Sequence, residues 1–363
     1  MHHLTNIYSI VPRLPPAING VGDYALNLAR QLRKDFHIQT HFIVGNPKWN
    51  GGSEIEGFPI TRICDRNAQQ LLSQDQTSSV LLHYVGYGYA KRGCPVGLVE
   101  RLQRWKNSSP DCLFVTMFHE LYASGSPPWT SSFWLSPLQK SLAAKLAKLS
   151  DRCVTSRKGY AEIIRQLSDG KHQQILALPV FSNVGEPQEI PLPLSQRQNQ
   201  LVVFGGVASR IRVYRDCQAR LDYVCRKLNI QTIIDIGTST GIAPRFIGNV
   251  PVSEIGEQPP DKVSHILANS IAGFCDYNPD YFGKSTILAA YCAHRLLPIN
   301  ARGSDSITDG IQENHQYWVP SDQENNSRDE LDMQAIADQA YSWYQNHRLS
   351  IQSESFMTIL NKL

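Results

Sequence analysis

Short apolar runs alternate with amphipathic stretches along the first half of the chain. Five of the runs have the length and composition of buried strands: 6–11, 42–45, 80–85, 112–118 and 153–156. The stretches between and after these runs carry apolar residues at helical spacing, over 25–32, 68–72, 98–105, 137–149 and 158–167. Strands alternating with helices over residues 1–180 predict a parallel, doubly wound α/β domain.

The pattern breaks at 183–199, a stretch rich in Pro and Gln, and then starts again. Strand-like runs at 201–204, 233–236 and 272–274 are followed there by helical patterns. The sequence therefore predicts two α/β domains, residues 1–182 and 200–330, joined by a linker at 183–199. The remaining segment, 331–363, has helical composition and either crosses back onto the first domain or packs on the second.

Glycine-containing turns follow the opening strand of each predicted domain. Gly20 and Gly22 come just before the first helix, which Asp23 is expected to cap. Gly206 follows the strand at 201–204, and three arginines come after it, Arg210, Arg212 and Arg215. A bare backbone lets a ligand approach closely, whereas the alternative is a flexible turn between core elements. Planar guanidinium groups suit two-point contacts with phosphate.

The stretch 273–299 combines a strand end, an acidic and aromatic loop containing Asp280, and a helix of small residues. The helix is expected to start near Ser285, which Thr286 follows. Its free backbone N–H groups and positive dipole end, with Lys284 beside them, would form a site for an anion. This stretch therefore predicts a phosphate-binding element in the second domain.

A histidine, His119, directly follows the apolar run at 112–118 and precedes Glu120. In an open parallel sheet, ligands bind beyond the carboxyl ends of the strands. This position favours a functional role for His119 over the alternative of a structural histidine in the core.

The helix predicted at 137–149 combines an apolar face with three lysines, Lys140, Lys145 and Lys148. One interpretation is a surface helix with a solvated charged face. The other is an interfacial helix that touches anionic lipid at the inner face of a membrane.

Composition places the chain among globular proteins. The 363 residues include 42% hydrophobic and 18% charged residues, which excludes a disordered or fibrous chain. The formal charge of +3 is too weak to indicate nucleic acid, so no nucleic-acid partner is expected. The 8 cysteines are scattered without a C-x-x-C pair, which favours reduced thiols in a cytoplasmic protein. No segment approaches the roughly 18 apolar residues of a membrane span, and the first residues do not resemble a signal peptide.

The stretch 233–241 places Asp235 in an apolar strand and continues into spaced glycines. This pattern is similar to the cofactor loop of S-adenosylmethionine-dependent methyltransferases. Such a loop normally follows the first strand of its domain, whereas this one follows the second. A methyltransferase is therefore kept as a third alternative.

Together these features resemble a GT-B glycosyltransferase, and more narrowly the retaining enzymes of family 4. The resemblance rests on Asn19-Gly20-Val21-Gly22, on His119, on Gly205-Gly206 with Arg210, and on Phe282-Gly283 leading to Pro298-Ile299. It implies two Rossmann-like domains that face each other across a cleft, with an acceptor side in the first and a donor side in the second. Asp280-Tyr281-Phe282-Gly283 replaces the family's first acidic motif, and Leu288 stands in place of its second glutamate.

The resemblance implies a retaining hexosyltransferase that moves a sugar from a nucleotide-diphosphate sugar to a glycan, lipid-linked or small-molecule acceptor, in polysaccharide or glycoconjugate biosynthesis. No cofactor and no metal ion are expected. The expected catalytic residues are His119, Arg210 and Lys284. Donor binding is expected from a wider set: Gly20, Gly22, Gly206, Arg210, Lys284, Ser285, Thr286 and Asp280. The alternative, motivated by Leu288, is a catalytically inactive relative that binds nucleotide-sugar or glycan as a partner protein.

Overall fold

The computed structural model describes residues 4–17, 19–63, 79–125, 127–320 and 332–361. The chain forms two units, one of Met1–Leu178 with Leu349–Leu363 and the other of Pro179–Arg348. The helix predicted at 68–72 lies outside the described residues.

The first unit is built on one sheet. Its described strands are β1 (Asn6–Val11), β2 (Gln39–Val44), β3 (Glu54–Ile55), β4 (Phe58–Arg62), β5 (Ser79–Tyr84), β6 (Phe114–Phe118), β7 (Arg152–Thr155) and β8 (Leu176–Ala177). Its helices include α1 (Gly20–Phe36), α2 (Gly86–Tyr89), α3 (Val96–Ser108), α4 (Ser131–Leu149) and α5 (Lys158–Leu167). The strand order is β3-β4-β2-β1-β5-β6-β7-β8, and neighbouring strands are parallel except β3 with β4.

Apolar side chains from strands and helices pack into two clusters in this unit. One cluster joins Leu82 and Phe114 of the sheet with Leu102 of α3 and Leu146 of α4. The other joins strands β1, β2 and β4 with Ala25 of α1. Strands buried in this way read as continuous apolar runs, which is why the sequence predicts them well.

Helix α1 begins earlier than the sequence predicts. Its N-cap is Asn19, whose side-chain oxygen accepts from two backbone N–H groups of the first turn, at 3.2 and 3.0 Å. The expectation that Asp23 caps the helix is wrong, because Asp23 lies inside the first turn. Gly20 and Gly22 are therefore helical residues. A Cβ on Gly22 would come within 2.1 Å of the Arg13 carbonyl oxygen, so the preceding loop packs directly on the helix.

Helix α4 also begins earlier than predicted, at Ser131, so that Pro137 lies inside it. The hydroxyl of Thr130 sets the real start by accepting from the Phe133 N–H group at 3.4 Å. Neither α4 nor any other described helix is long and apolar enough to cross a membrane.

The second unit is built on a separate sheet. Its described strands are β9 (Gln198–Phe204), β10 (Thr232–Ile236), β11 (Phe246–Ile247), β12 (Val250–Glu254), β13 (Ser270–Cys275) and β14 (Leu297–Asn300). Its helices are α6 (Val207–Asp216), α7 (Gln218–Lys227), α8 (Pro260–Asn269), α9 (Thr286–Ala293) and α10 (Met333–Gln345). The strand order is β11-β12-β10-β9-β13-β14, with parallel pairing except between β11 and β12.

The segment 183–199, expected as a linker, is packed within the second unit. The Leu194 N–H group donates to Gln334 Oε1 at 2.7 Å, and Arg295 Nη1 donates to the Pro191 carbonyl at 2.9 Å. The segment ends in a short 3-10 turn and leads directly into β9. Its Pro-rich composition indicates the lack of a long helix or strand, and not the lack of tertiary contacts.

The last helix of the chain, α11 (Leu349–Leu360), belongs to the first unit. Tyr24 of α1 donates its hydroxyl to Gln352 Oε1 at 2.6 Å, and Ser79 of β5 donates to the Leu360 carbonyl at 2.7 Å. The helical segment predicted at 331–363 is therefore divided, with α10 in the second unit and α11 in the first.

Sheet and helix approach each other closely at Gly273 in β13. The ring of Tyr291 from α9 lies across this glycine, and a Cβ at Gly273 would come within 2.6 Å of it. The Tyr291 hydroxyl lies 3.3 Å from the carbonyl oxygens of Val202 and Phe274. This contact fixes α9 on the sheet at the end of the loop that follows β13.

We expect Gly273→Ala to lower the free energy of unfolding by about 1–3 kcal/mol, because the added methyl group would displace Tyr291. The matched control is Gly97→Ala in α3, where a Cβ would meet no atom of the described residues within 4 Å. That change should be neutral or stabilising by up to about 1 kcal/mol. Urea unfolding of the three proteins measures both effects, and equal stability of the two variants would contradict the close packing.

Candidate functional site

The strand order of the second unit reverses between β9 and β13, which are parallel neighbours in the sheet. The chain leaves β9 toward α6 and leaves β13 toward the stretch 276–285. In an open parallel sheet, ligands bind in the crevice between two such loops. The residues that follow these two strands therefore form the first candidate site.

A cleft of about 410 Å³ opens at this edge of the sheet. It combines charged, aromatic and amide side chains: Arg212, Asp276, Tyr277, Asn278, Tyr281, Lys284 and Arg302. Three cations and one carboxylate leave this lining with an excess of positive charge. Such a lining suits an anionic ligand.

The Asp276 carboxylate organises the cleft. It is 3% exposed, and it accepts from Arg302 Nε and Nη2 at 2.5 and 2.8 Å and from Arg212 Nε at 3.0 Å. Burial raises the pKa of Asp276, but the hydrogen bonds and charges of the two arginines outweigh it and hold that pKa below its ordinary value. The two arginine side chains are partly exposed, at 34% for Arg212 and 52% for Arg302. The carboxylate therefore fixes both cations while each still borders the cleft.

Asn300, at the end of β14, ties the loops of the cleft together. Its side-chain oxygen accepts from the Tyr277 N–H group at 2.9 Å, and its Nδ2 donates to the carbonyls of Tyr277 and Arg302 at 2.9 and 2.6 Å. Asp276, Asn300 and Arg302 are not among the site residues expected from the sequence. The available signal was position, because all three lie at or just beyond the end of a buried strand.

Lys284 is a predicted donor-binding residue that lines the cleft. It ends the 3-10 turn Pro279–Lys284, and its Nζ lies 5.7 Å from the centre of the Tyr281 ring. This cation–π contact restrains a flexible side chain without neutralising its charge.

The predicted helix start near Ser285 is confirmed, since α9 begins at Thr286 with Ser285 as its N-cap. The Ser285 hydroxyl accepts from the Leu288 N–H group at 3.2 Å, so it serves the helix itself. Asp280 is exposed on the preceding turn, and Thr286 is partly exposed. The lining of the cleft contains none of these three side chains. Their roles in donor binding stay predictions.

Gly205 and Gly206 differ in whether the backbone and its surroundings require glycine. Gly205 has a φ of +128°, and a Cβ there would come within 2.4 Å of Ile287. Gly206 is the exposed N-cap of α6, and a Cβ there meets nothing within 4 Å. The fold therefore requires glycine at 205, whereas the open backbone at 206 is compatible with the predicted approach of a ligand.

Arg210 faces the protein interior and not the cleft. It is 1% exposed and forms an ion pair with Asp235 of β10. Its Nε donates to the Gly205 carbonyl at 2.9 Å, and its Nη2 donates to the Thr238 carbonyl. Residues two positions apart lie about 200° apart around a helix, so one arginine faces the sheet and the other the cleft. Arg210 therefore points away from the cleft, which Arg212 lines. The expected role of Arg210 in donor binding and catalysis stays a prediction.

The buried pair also gives Asp235 a structural role. Its carboxylate is 0% exposed and accepts from Arg210 and from the Tyr214 hydroxyl, the latter at 2.6 Å. A carboxylate that is buried and paired in this way offers nothing to a ligand. The residue that suggested a methyltransferase loop therefore holds α6 on the sheet.

We expect Arg210→Ala to lower the free energy of unfolding by about 3–5 kcal/mol, because it leaves the buried Asp235 carboxylate without its cation. The control on the same helix is Arg215→Ala, which removes an exposed pair with Asp216 and should leave the free energy of unfolding nearly unchanged. Urea unfolding measures both changes. Similar losses for the two variants would show that Arg210 is not a structural anchor.

The first unit places His119 directly after β6, as the sequence predicts. Its side chain is 7% exposed, and its Nε2 lies 3.0 Å from Nδ1 of His83, with the two rings stacked. The ring of Tyr24 meets His119 edge-on at 5.0 Å. His119 is therefore one member of a buried polar cluster that also connects, through Tyr24, to Gln352 of α11. Its contact with a sugar stays a prediction.

The buried His83 ring makes stability depend on pH. Burial lowers the pKa of His83 to about 3, so the folded protein keeps this ring neutral while the unfolded chain protonates it below its ordinary pKa of 6.5. The stability that His83 contributes is therefore fully present above pH 6.5 and falls by about 1.4 kcal/mol per pH unit as the pH drops toward 3.

We expect His83→Gln to reduce the loss of stability between pH 7.5 and pH 5.5 by about 1 kcal/mol, because the glutamine has no proton to take up. Urea unfolding at the two pH values measures the difference. The exposed His265→Gln variant is the matched control. A pH dependence that His83→Gln and wild type share would contradict the assignment to this ring.

No family model matches the sequence, and no curated protein matches it. Solved structures of glycosyltransferases do match the fold. An alpha-glucosyltransferase (AGT) in complex with UDP has a TM-score of 0.64 and 10% identity, over 99% of this chain and 100% of the other. The pneumococcal O-GlcNAc transferase GtfA in complex with UDP and GlcNAc has a TM-score of 0.62 and 11% identity, over 99% of each chain.

A third similar structure is WaaG, a glycosyltransferase involved in lipopolysaccharide biosynthesis, with a TM-score of 0.55 and 11% identity over 98% of this chain and 100% of the other. At such identities the similarity establishes the fold. The predicted GT-B fold, with two Rossmann-like α/β domains, is confirmed.

Proposed function

We propose that the chain is a glycosyltransferase that uses a nucleoside-diphosphate sugar as its donor. The observation that carries the proposal is the cleft of the second unit, where Arg212, Lys284 and Arg302 converge at the reversal of strand order. The fold supports it, because similar structures of an alpha-glucosyltransferase and an O-GlcNAc transferase contain UDP. The donor diphosphate is assigned to this cleft, with the rings of Tyr277 and Tyr281 available to a base or sugar.

The chemistry requires stabilisation of a leaving group. Transfer breaks the bond between the anomeric carbon and the diphosphate, and negative charge develops on the departing oxygen. Cations that are already fixed stabilise this charge without reorganising during the reaction. Arg212 and Arg302 meet this condition because Asp276 holds them, and Lys284 adds a third charge. We propose that these cations replace a bound metal ion in that role.

The remaining features of the reaction are proposed from the resemblance. The acceptor attacks on the face that the diphosphate leaves, so the anomeric configuration is retained. His119, at the end of β6, holds the donor sugar or the acceptor. The acceptor is a glycan, a lipid-linked sugar or a small molecule, and the product belongs to polysaccharide or glycoconjugate biosynthesis.

A second candidate is a catalytically inactive relative that binds a nucleotide-sugar or glycan as a partner protein. The observation that favours it is Leu288, which stands where the resembled family has its second glutamate and is 1% exposed. An apolar side chain in the core cannot replace the contacts of a carboxylate with a donor.

We expect Lys284→Ala to weaken the binding of UDP by about 1–3 kcal/mol, which is roughly a 5- to 150-fold increase in Kd, because a charge-assisted contact with phosphate is lost. Isothermal titration calorimetry measures this change. Lys227→Ala, an exposed lysine of α7, is the matched control and should bind UDP like wild type. An unchanged Kd for Lys284→Ala would remove this residue from the site.

Sugar release separates the two candidate functions. Wild-type protein is incubated with UDP-glucose or UDP-N-acetylglucosamine and a pool of acceptors, and NMR follows the anomeric proton. The enzyme proposal expects transfer or slow hydrolysis with retained configuration. UDP binding without any sugar release would favour the inactive partner instead.

A further inference from the structure

Large apolar side chains are exposed at the start of helix α4. Trp129 is 85% exposed, Trp134 72%, Leu138 42% and Phe133 41%. We call these four residues the aromatic patch. Side chains of this size normally gain about 1.5–3 kcal/mol each from burial, so a cluster of them at the surface indicates an interaction site. Three of the other four tryptophans are buried: Trp49, Trp105 and Trp318.

Helix α4 has two distinct faces. Its inner face packs into the core of the first unit through Leu142, Ala143, Leu146 and Ala147. Its outer face is a stripe of residues spaced by three and four positions, Trp134, Leu138, Ser141, Lys145 and Lys148, all of them exposed. Along the helix, the stripe therefore passes from aromatic to basic. A solvated helix face gains nothing from exposed tryptophan. This order therefore argues against the interpretation of α4 as a surface helix with a solvated charged face.

The charge around the stripe has one predominant sign. The segment 121–150 contains no Asp or Glu, while it contains three lysines. Gln139 of α4 donates to the Arg92 carbonyl at 2.8 Å, which holds the exposed residues Lys91 and Arg92 beside the helix. An exposed acid, Asp169, pairs with Lys148 at 2.5 Å. Such an exposed pair is weak, so it leaves the surface basic.

We propose that the aromatic patch and the basic end of α4 dock this protein on the headgroup region of a bilayer that contains anionic lipid. Tryptophan and phenylalanine settle at the boundary between headgroups and acyl chains, and lysines bind the phosphates above it. A second copy of the chain fits less well, because a twofold contact through this stripe would bring the lysines of both copies together if the helices run parallel, and would bury these lysines against a stripe without a carboxylate if they run antiparallel. The proposal is independent of the donor cleft, which lies in the second unit.

The test uses the full chain and vesicles of phosphatidylcholine with 30% phosphatidylglycerol, compared with vesicles of phosphatidylcholine alone. Co-sedimentation gives the partition coefficient. Acrylamide quenching of the wild-type protein reports Trp129 and Trp134, the most exposed indoles, and needs no variant. We expect binding to the anionic vesicles, protection of these indoles from quenching, and weaker binding at high salt.

Two double variants separate the parts of the surface. Trp129→Ala with Trp134→Ala should lower the partition coefficient by about tenfold or more. Lys145→Gln with Lys148→Gln should lower it by about 25-fold, roughly fivefold per lysine, and weaken its salt dependence. The matched controls are Phe246→Ala and Lys227→Gln, which change an exposed aromatic and an exposed lysine of the second unit. Circular dichroism verifies that all variants are folded.

Each outcome decides the proposal. Loss of vesicle binding in both double variants but in neither control supports the proposal. Unchanged Kd values for UDP in these variants would show that vesicle binding does not depend on the donor cleft. Absence of binding by wild type, unchanged quenching, or equal binding by the patch variants and the controls overturns it. A dimer seen by light scattering that the tryptophan variant dissociates, without vesicle binding, also overturns it in favour of a second copy.

Discussion

One buried carboxylate determines the geometry of the candidate donor site. An ion removed from water requires partners of opposite charge, and Asp276 obtains them from α6, through Arg212, and from the segment after β14, through Arg302. An arginine side chain alone loses up to about 2 kcal/mol of rotamer entropy when it is fixed in one position. Because two arginines share one anchor, both are oriented before a ligand arrives. The site is therefore a consequence of how the fold compensates its own buried charge.

The secondary structure was predictable because burial leaves a periodic trace in the sequence. The runs at 6–11 and 158–167 coincide with β1 and α5, which are respectively buried between neighbouring strands and strongly amphipathic. Helix starts were less predictable, because several residues compete for the cap. Asn19 begins α1 in place of Asp23, and Thr130 begins α4 in place of a start at Pro137. Local sequence preference does not distinguish between two possible helix starts. The packing of the loop before the helix determines which one is used.

The candidate donor cleft was predictable only in part. Periodicity reveals that a helix has a buried face, but it does not reveal which ligand the other face of the helix meets. The sequence does not distinguish Arg210 from Arg212. In the structure, Arg210 pairs with the buried Asp235, and Arg212 pairs with Asp276. Arg302 is distant from Asp276 along the chain, and the parallel pairing of β13 with β14, which aligns Cys275 with Asn300, brings the two together. Lys284 was predictable from the sequence, because it directly precedes Ser285, the N-cap of α9.

The net charge of the chain does not show where its cations are concentrated. The chain has 35 basic and 32 acidic residues, yet cations exceed acids in the cleft and along α4. The two sets differ in rigidity. The cleft arginines are held on a carboxylate and present planar donors, which suits a diphosphate whose oxygens have fixed positions. The lysines of α4 are compact charges on flexible stems beside indole rings, which suits a lipid surface whose negative charges move. It is therefore how a cation is anchored, and not its sign, that separates recognition of a small molecule from recognition of a surface.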